Sequence, residues 1–127
     1  MAKWANDNVM DAALDYVATG TLLTVCSAQP TTYAEASSTY KLADVVMTAG
    51  AGNGDYVKAN GDTNGRKLTV QQQSNMDIDT SGTATHVAIS VSGSSTLLYV
   101  TTCTSQVLTS GGTVTVPAWD IEISDPS

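Results

Sequence analysis

The sequence predicts a mainly β protein: a single antiparallel β-sandwich or barrel-like domain carrying one N-terminal α-helix. Three observations lead there. After Gly20 the chain breaks into short runs rich in Val, Thr, Ile and Tyr, punctuated by Gly, Asn, Asp, Ser and Pro. Within those runs apolar and polar residues alternate, the period of a strand with one buried face. Before Gly20 stands the one stretch with a helical period, NDNVMDAALDYVA. No fixed-period repeat and no long linker divides the 127 residues, so 1–127 reads as one domain, with the helix over about 6–18 and the β domain over about 21–125.

The helix is delimited by its ends. Asn6 is suited to the N-cap, Asp7 places negative charge in the first turn, and Gly20 supplies the stop. Met10, Ala13, Leu14 and Val17 recur at i, i+3, i+4 and i+7 as one apolar stripe. Asp7, Asp11 and Asp15 lie four apart on another face. Like charges at that spacing repel, so the ladder reads as a solvated face rather than a metal site.

Strands are expected at about Leu22–Ser27, Lys41–Thr48, Tyr56–Ala59, Lys67–Gln73, Thr85–Val91, Thr96–Cys103, Thr113–Val116 and Trp119–Ser124. In THVAISV, Val87, Ile89 and Val91 point one way and His86, Ala88 and Ser90 the other. The turn residues SGSS follow, and TLLYVTTC then sets Leu98, Val100 and Thr102 against Leu97, Tyr99, Thr101 and Cys103, giving a β-hairpin. Near the end the inward parity flips, from Val114 and Val116 to Trp119, Ile121 and Ile123. Pro117 cannot donate to a ladder, so a bulge or a change of partner belongs at Pro117–Ala118.

Composition narrows the function. Net charge is −7, and Lys3, Lys41, Lys58, Arg66 and Lys67 are the cations. Asp55 and Asp62 interrupt the one cationic cluster, which argues against a nucleic-acid surface. MAKWANDN lacks the apolar core of a secretory signal, and no stretch reaches the ~18 apolar residues of a membrane span. Cys26 and Cys103 form no disulfide framework; two reduced core thiols are the favoured reading, with a single bridge left open.

Chemical motifs are thin. Asn60, Asp62, Asn64 and Gly65 in NGDTNG echo the start of a calcium loop, but the first position is Asn60 and the twelfth is Gln71, so a polar hairpin is favoured. Asp77 and Asp79 lack a third ligand nearby in sequence. The sole histidine, His86, has no neighbouring base or ligand and reads as a surface or edge residue. There is no nucleophile elbow, P-loop or CxxC. The expectation is no enzyme, no cofactor, no metal site and no catalytic residues. Contact candidates are Trp4, Met10 and Leu14 on the helix, with Tyr33 and Tyr40 flanking the loop TTYAEASSTY. Trp4 and Trp119 are also suited to anchoring the helix and the final strand to the core.

The segments WANDNVMDAALDYV, LLTVCSAQPTTYAEA, NGRKLTV and THVAISV, followed by LLYVTTC and GGTVTVPAWDIEISDP, together cover most of the chain. They resemble a family of small virion structural proteins of tailed bacteriophages. The resemblance implies a capsid decoration (cement) protein, made in the host cytoplasm, that binds the outer surface of the major capsid protein shell and stabilises it. It implies a homo-oligomer, with a trimer one option, partnered by the major capsid protein or other virion proteins, with no nucleic acid and no membrane. The alternative within that class is a neck, tail or head-fibre component, including a receptor-binding one. A free carbohydrate- or protein-binding β module is the alternative from a different class.

Overall fold

The computed structural model describes residues 4–52 and 54–124. Helix α1 spans Asp7–Val17, and the Asn6 side chain caps it by accepting the Asn8 N–H at 2.8 Å. Nine strands follow: β1 Leu22–Cys26, β2 Lys41–Val46, β3 Tyr56–Asn60, β4 Arg66–Val70, β5 Gln73–Asp77, β6 Gly82–Val91, β7 Thr96–Leu108, β8 Thr113–Val116 and β9 Trp119–Ile123. The fold is mainly β with one N-terminal helix, and every strand pairing is antiparallel. The strands form three sheets, ordered β2-β1-β6-β7, β3-β4-β9 and β5-β8, and none of them closes on itself.

The sheets share one core. Leu14 of α1, Leu23 and Val25 of β1, Ile89 of β6, Tyr56 of β3, Leu68 of β4, Met76 of β5, Val114 of β8 and Ile121 of β9 belong to a single buried cluster. Residues alternate sides along a strand, so Cys26 and Ala88 face away from it. They build a second, small cluster with Ala36, which lies in a π-helical turn at Glu35–Thr39. The long connection between β1 and β2 thus folds back on the sheet instead of standing out as an open loop.

The end of the chain behaves as the parity flip predicts. Strand β8 pairs with β5 and β9 with β4, so the backbone changes sheets at Pro117–Ala118. NGDTNG is a polar hairpin turn in which Gly61 N–H donates to the Gly65 carbonyl at 2.9 Å. Gly65 has φ +74, and a Cβ there would collide with the Ile123 carbonyl, so the turn requires glycine.

Four expectations need correction. The strand expected over Lys67–Gln73 stops at Val70, and a new one begins at Gln73. Strand β5 (QSNMD) has no β-branched residue, and Asn75 takes φ 56, so pattern alone hides it. Strand β7 runs on to Leu108, five residues past the expected end at Cys103. Its register skips Leu98, because Ile89 pairs with Tyr99 and Ser90 with Leu97. That bulge puts Leu98 with Tyr99 and Cys103 against the main core, whereas Leu97 and Val100 pack on the second cluster. His86 is not on an edge: β6 is flanked by β1 and β7, and Thr85 Oγ1 lies 2.8 Å from His86 Nδ1.

The aspartate ladder on α1 is the fourth correction. Asp11 accepts Arg66 Nε at 2.8 Å, and Lys58 Nζ lies 2.8 Å from Asp15 and 3.7 Å from Asp11. These aspartates seat the helix on the β3–β4 hairpin while Met10 and Leu14 enter the core. The guanidinium hydrogen bond holds the Asp11 carboxyl below the usual carboxylate range, with Lys58 adding to the effect.

At the helix exit, Gly20 is buried against Ile89 and Tyr56. A Cβ on Gly20 would overlap Ile89 Cγ2 and stand 2.8 Å from the Tyr56 hydroxyl. That hydroxyl, fully buried, donates to the Gly20 carbonyl at 2.9 Å. Burial pushes the Tyr56 phenol far above its ordinary pKa, so it remains a donor across the working range.

Tyr56→Phe leaves the Gly20 carbonyl without its buried donor, and chemical denaturation should show a loss of about 1–3 kcal/mol. Asp11 has a lowered folded-state pKa, so its contribution is full above the unfolded value near ~3.9 and is lost as pH falls through the folded value. Asp11→Asn should therefore lower the melting temperature at pH 7. The gap from the wild type should shrink steadily as melts are repeated below about pH 4.

Candidate interaction site

The helix carries two apolar faces. Met10 and Leu14 are 4% and 1% exposed, so the core uses these two candidate contacts. Ala13, expected on the same stripe, points to solvent. On the outer side, Val9 and Tyr16 lie a heptad apart and are 64% and 62% exposed, with Ala12 and Ala13 exposed between them. Trp4, just before the helix, is 80% exposed and does not anchor it. Of the helix-side residues singled out in the sequence, Trp4 is the exposed one. Val9 and Tyr16 were missed, although their seven-residue spacing is itself the signal.

Tyr33 and Tyr40 are both half-buried. Tyr40 packs against the Cys26–Ala36–Ala88 cluster. The turn before it is held by Glu35, whose Oε1 accepts both the N–H and the hydroxyl of Thr31 at 2.8 Å. Those two bonds keep the Glu35 carboxyl below its ordinary range. The structure thus brings Tyr40 to the second cluster and keeps it apart from the helix surface around Trp4.

A groove of about 460 Å³ opens beside β7. One wall is Thr101–Thr104 with Gln106 of β7, the other is the segment from Val114 to Asp120, and Val25, Ala84 and Val87 form the floor. Trp119 lines it, stacked on Tyr99 at a ring-centroid distance of 5.8 Å and an interplanar angle of 28°. The Trp119 indole N–H is buried with no hydrogen-bond acceptor. Cys103 stands half-buried in the wall, and desolvation pushes its thiol pKa up, away from reactive thiolate character.

Other candidates resolve into structure. Cys26 and Cys103 are free thiols. Cys26 pairs with His86 and His86 with Thr102, which puts two strand spacings, about 9.6 Å, between the rows that hold the cysteines. That exceeds the ~7 Å limit for a bridge without backbone movement. Asp79 lies 3.5 Å from Lys41, which also pairs with Asp44 at 2.8 Å, whereas Asp77 is exposed. Lys67 pairs with Asp62 and Asp120 at 2.7 and 3.5 Å. Each described cation is therefore already matched to a carboxylate. Among the described residues no three His, Cys, Asp or Glu side chains converge as a metal cluster. Lys3 lies outside the described residues.

No described helix is long and apolar enough to cross a membrane. Two surfaces stand out, the outer face of α1 with Val9 and Tyr16 exposed and the groove beside β7. Comparison of the chain with protein-family models, with curated proteins and with solved structures finds no match.

Proposed function

We propose that the chain is a non-enzymatic structural protein of a tailed-phage virion, specifically a capsid decoration (cement) protein that binds the outer surface of the major capsid shell. The observation that carries this reading is the outer face of α1. Val9 and Tyr16 are large apolar side chains held in water by a helix whose other face is locked into the core, and Trp4, two residues before the N-cap, is exposed as well. Aromatic residues dominate binding energy where they fill a partner's pocket, so large apolar side chains left exposed in this way support an interaction surface. Fixed to the β3–β4 hairpin by Asp11 and Asp15, the helix offers a rigid face that loses little entropy on docking.

The acidic balance fits an exterior position, away from packaged DNA. We read the three sheets around one core as a sandwich left open at the groove, a compact carrier for the docking helix. Decoration stabilises a shell by mass action, because only the assembled shell presents the bound surface.

Gold-conjugated antibody against the chain, applied to intact particles of the phage that encodes it, should label the whole head. Label confined to one vertex or to the tail would move the chain to the neck, tail or head fibre. Free protein with unlabelled particles would remove it from the virion. The double substitution Trp4→Ala, Tyr16→Ser should lower occupancy on stripped heads by about tenfold or more, the effect of losing two aromatic contacts. Its melting temperature should stay near that of the wild type, since both side chains are exposed.

A further inference from the structure

We infer that Asn64 is a site of spontaneous deamidation in the folded protein, converting to isoaspartate and aspartate while Asn60 in the same turn is spared. Asparagine is a thermolabile residue, and a following glycine leaves the next backbone nitrogen unshielded by any Cβ. NGDTNG holds two such pairs, Asn60–Gly61 and Asn64–Gly65. Both asparagines are exposed and both glycines are half-buried, so exposure does not separate them. Hydrogen bonding does.

The first half of the turn is tied down. The Gly61 N–H, which is the nucleophile Asn60 needs, donates to the Gly65 carbonyl at 2.9 Å. The Asn60 amide oxygen accepts Arg66 Nη1 at 2.8 Å, which fixes that side chain, and the Asp62 N–H donates to Glu122 at 2.8 Å. Cyclisation at Asn60 therefore requires the turn to open first. The Gly65 N–H precedes β4 and donates no hydrogen bond among the described residues. Hydroxide removes its proton, and the nitrogen forms a bond to Asn64 Cγ. The Cγ–Nδ2 bond breaks, ammonia leaves, and a cyclic succinimide remains. Water then opens the ring at either carbonyl. Opening at Cγ gives aspartate, and opening at the main-chain carbonyl gives isoaspartate, whose backbone runs through Cγ. Water is the co-reactant and ammonia the leaving group, with no change of oxidation state. Either product adds a carboxylate to a chain of net charge −7. Isoaspartate also lengthens the backbone one residue away from Arg66, the side chain that holds Asp11. The inference stands independently of the virion reading, because it concerns the chemistry of one turn.

The test is to incubate the full wild-type chain at about pH 8 in 18O-labelled water, either folded or unfolded in urea, and then digest it with trypsin. Cleavage after Lys58 and Arg66 releases ANGDTNGR, which carries both asparagines. Incorporated 18O marks deamidation during the incubation, and tandem mass spectrometry assigns it to residue 60 or residue 64. In the folded chain, conversion at Asn64 should outpace conversion at Asn60 by about tenfold or more, the factor that one or two hydrogen bonds supply. Electron-transfer fragmentation should show isoaspartate at position 64. In urea the two rates should converge, because the turn that distinguishes the sites is gone. The inference fails if Asn60 keeps pace with Asn64 in the folded chain. It fails equally if folded Asn64 stays unlabelled while the chain in urea reacts, or if Asn64 still outpaces Asn60 to the same extent in urea.

Discussion

The hydrogen bond from the Tyr56 hydroxyl to the Gly20 carbonyl fixes the meeting point of three parts of the chain. Gly20 lies between α1 and β1, Tyr56 begins β3, and Ile89 of β6 fills the space where a Gly20 side chain would be. Neighbouring backbone bonds reinforce the junction: Gly50 N–H to Ala18 O at 2.7 Å, and Thr21 N–H to Ser90 O at 2.9 Å. A phenol buried this deeply is tolerable only because its proton has an acceptor, and the acceptor is reachable only because residue 20 is glycine. With that junction set, the exit of α1 is set, and Asp11 and Asp15 meet Arg66 and Lys58 across the β3–β4 hairpin. The orientation of the outer helix face follows from these constraints.

Much of the fold was legible because it depends on local chemistry. An Asn N-cap, a Gly stop, NGDTNG as a turn and the parity flip at Pro117 all act within a few residues, and each stands where the pattern places it. What escaped depends on partners distant in sequence. Strand β5 exists because β8 offers a partner to QSNMD, although its own residues favour no strand. The Leu98 bulge arises from how β6 and β7 match, not from either alone. The aspartate ladder was misread because Arg66 stands 55 residues from Asp11, and spacing within a helix reveals nothing about charges that fold onto it.

The surfaces were less legible than the fold. Periodicity identified an apolar stripe through Met10 and Leu14 but not that the core would consume it. Trp4 was visible as a candidate on residue type alone, whereas Val9 and Tyr16 emerge once the inner stripe is known to be occupied. Tyr33 and Tyr40 sit in a segment whose composition reads as loop. Its Ala36 is nevertheless sealed against Cys26 and Ala88, because a sheet with apolar residues on both faces must be covered on both. The groove depends on the absence of a neighbour for β7, and no pattern within TLLYVTTCTSQVL encodes that.

The change of sheets at Pro117 has a bearing on how the protein is made. β8 and β9 are synthesised after the strands they complete, so β5 waits for β8 and β4 for β9 until the last part of the chain is made. Until those strands emerge from the ribosome, Leu68, Val70 and Met76 have no cover on that side. The core can then close only as a late, long-range event, the regime in which folding is slow and unpaired strands are exposed to other chains. Yield would then be governed by holding nascent chains apart, more than by the stability of the finished fold.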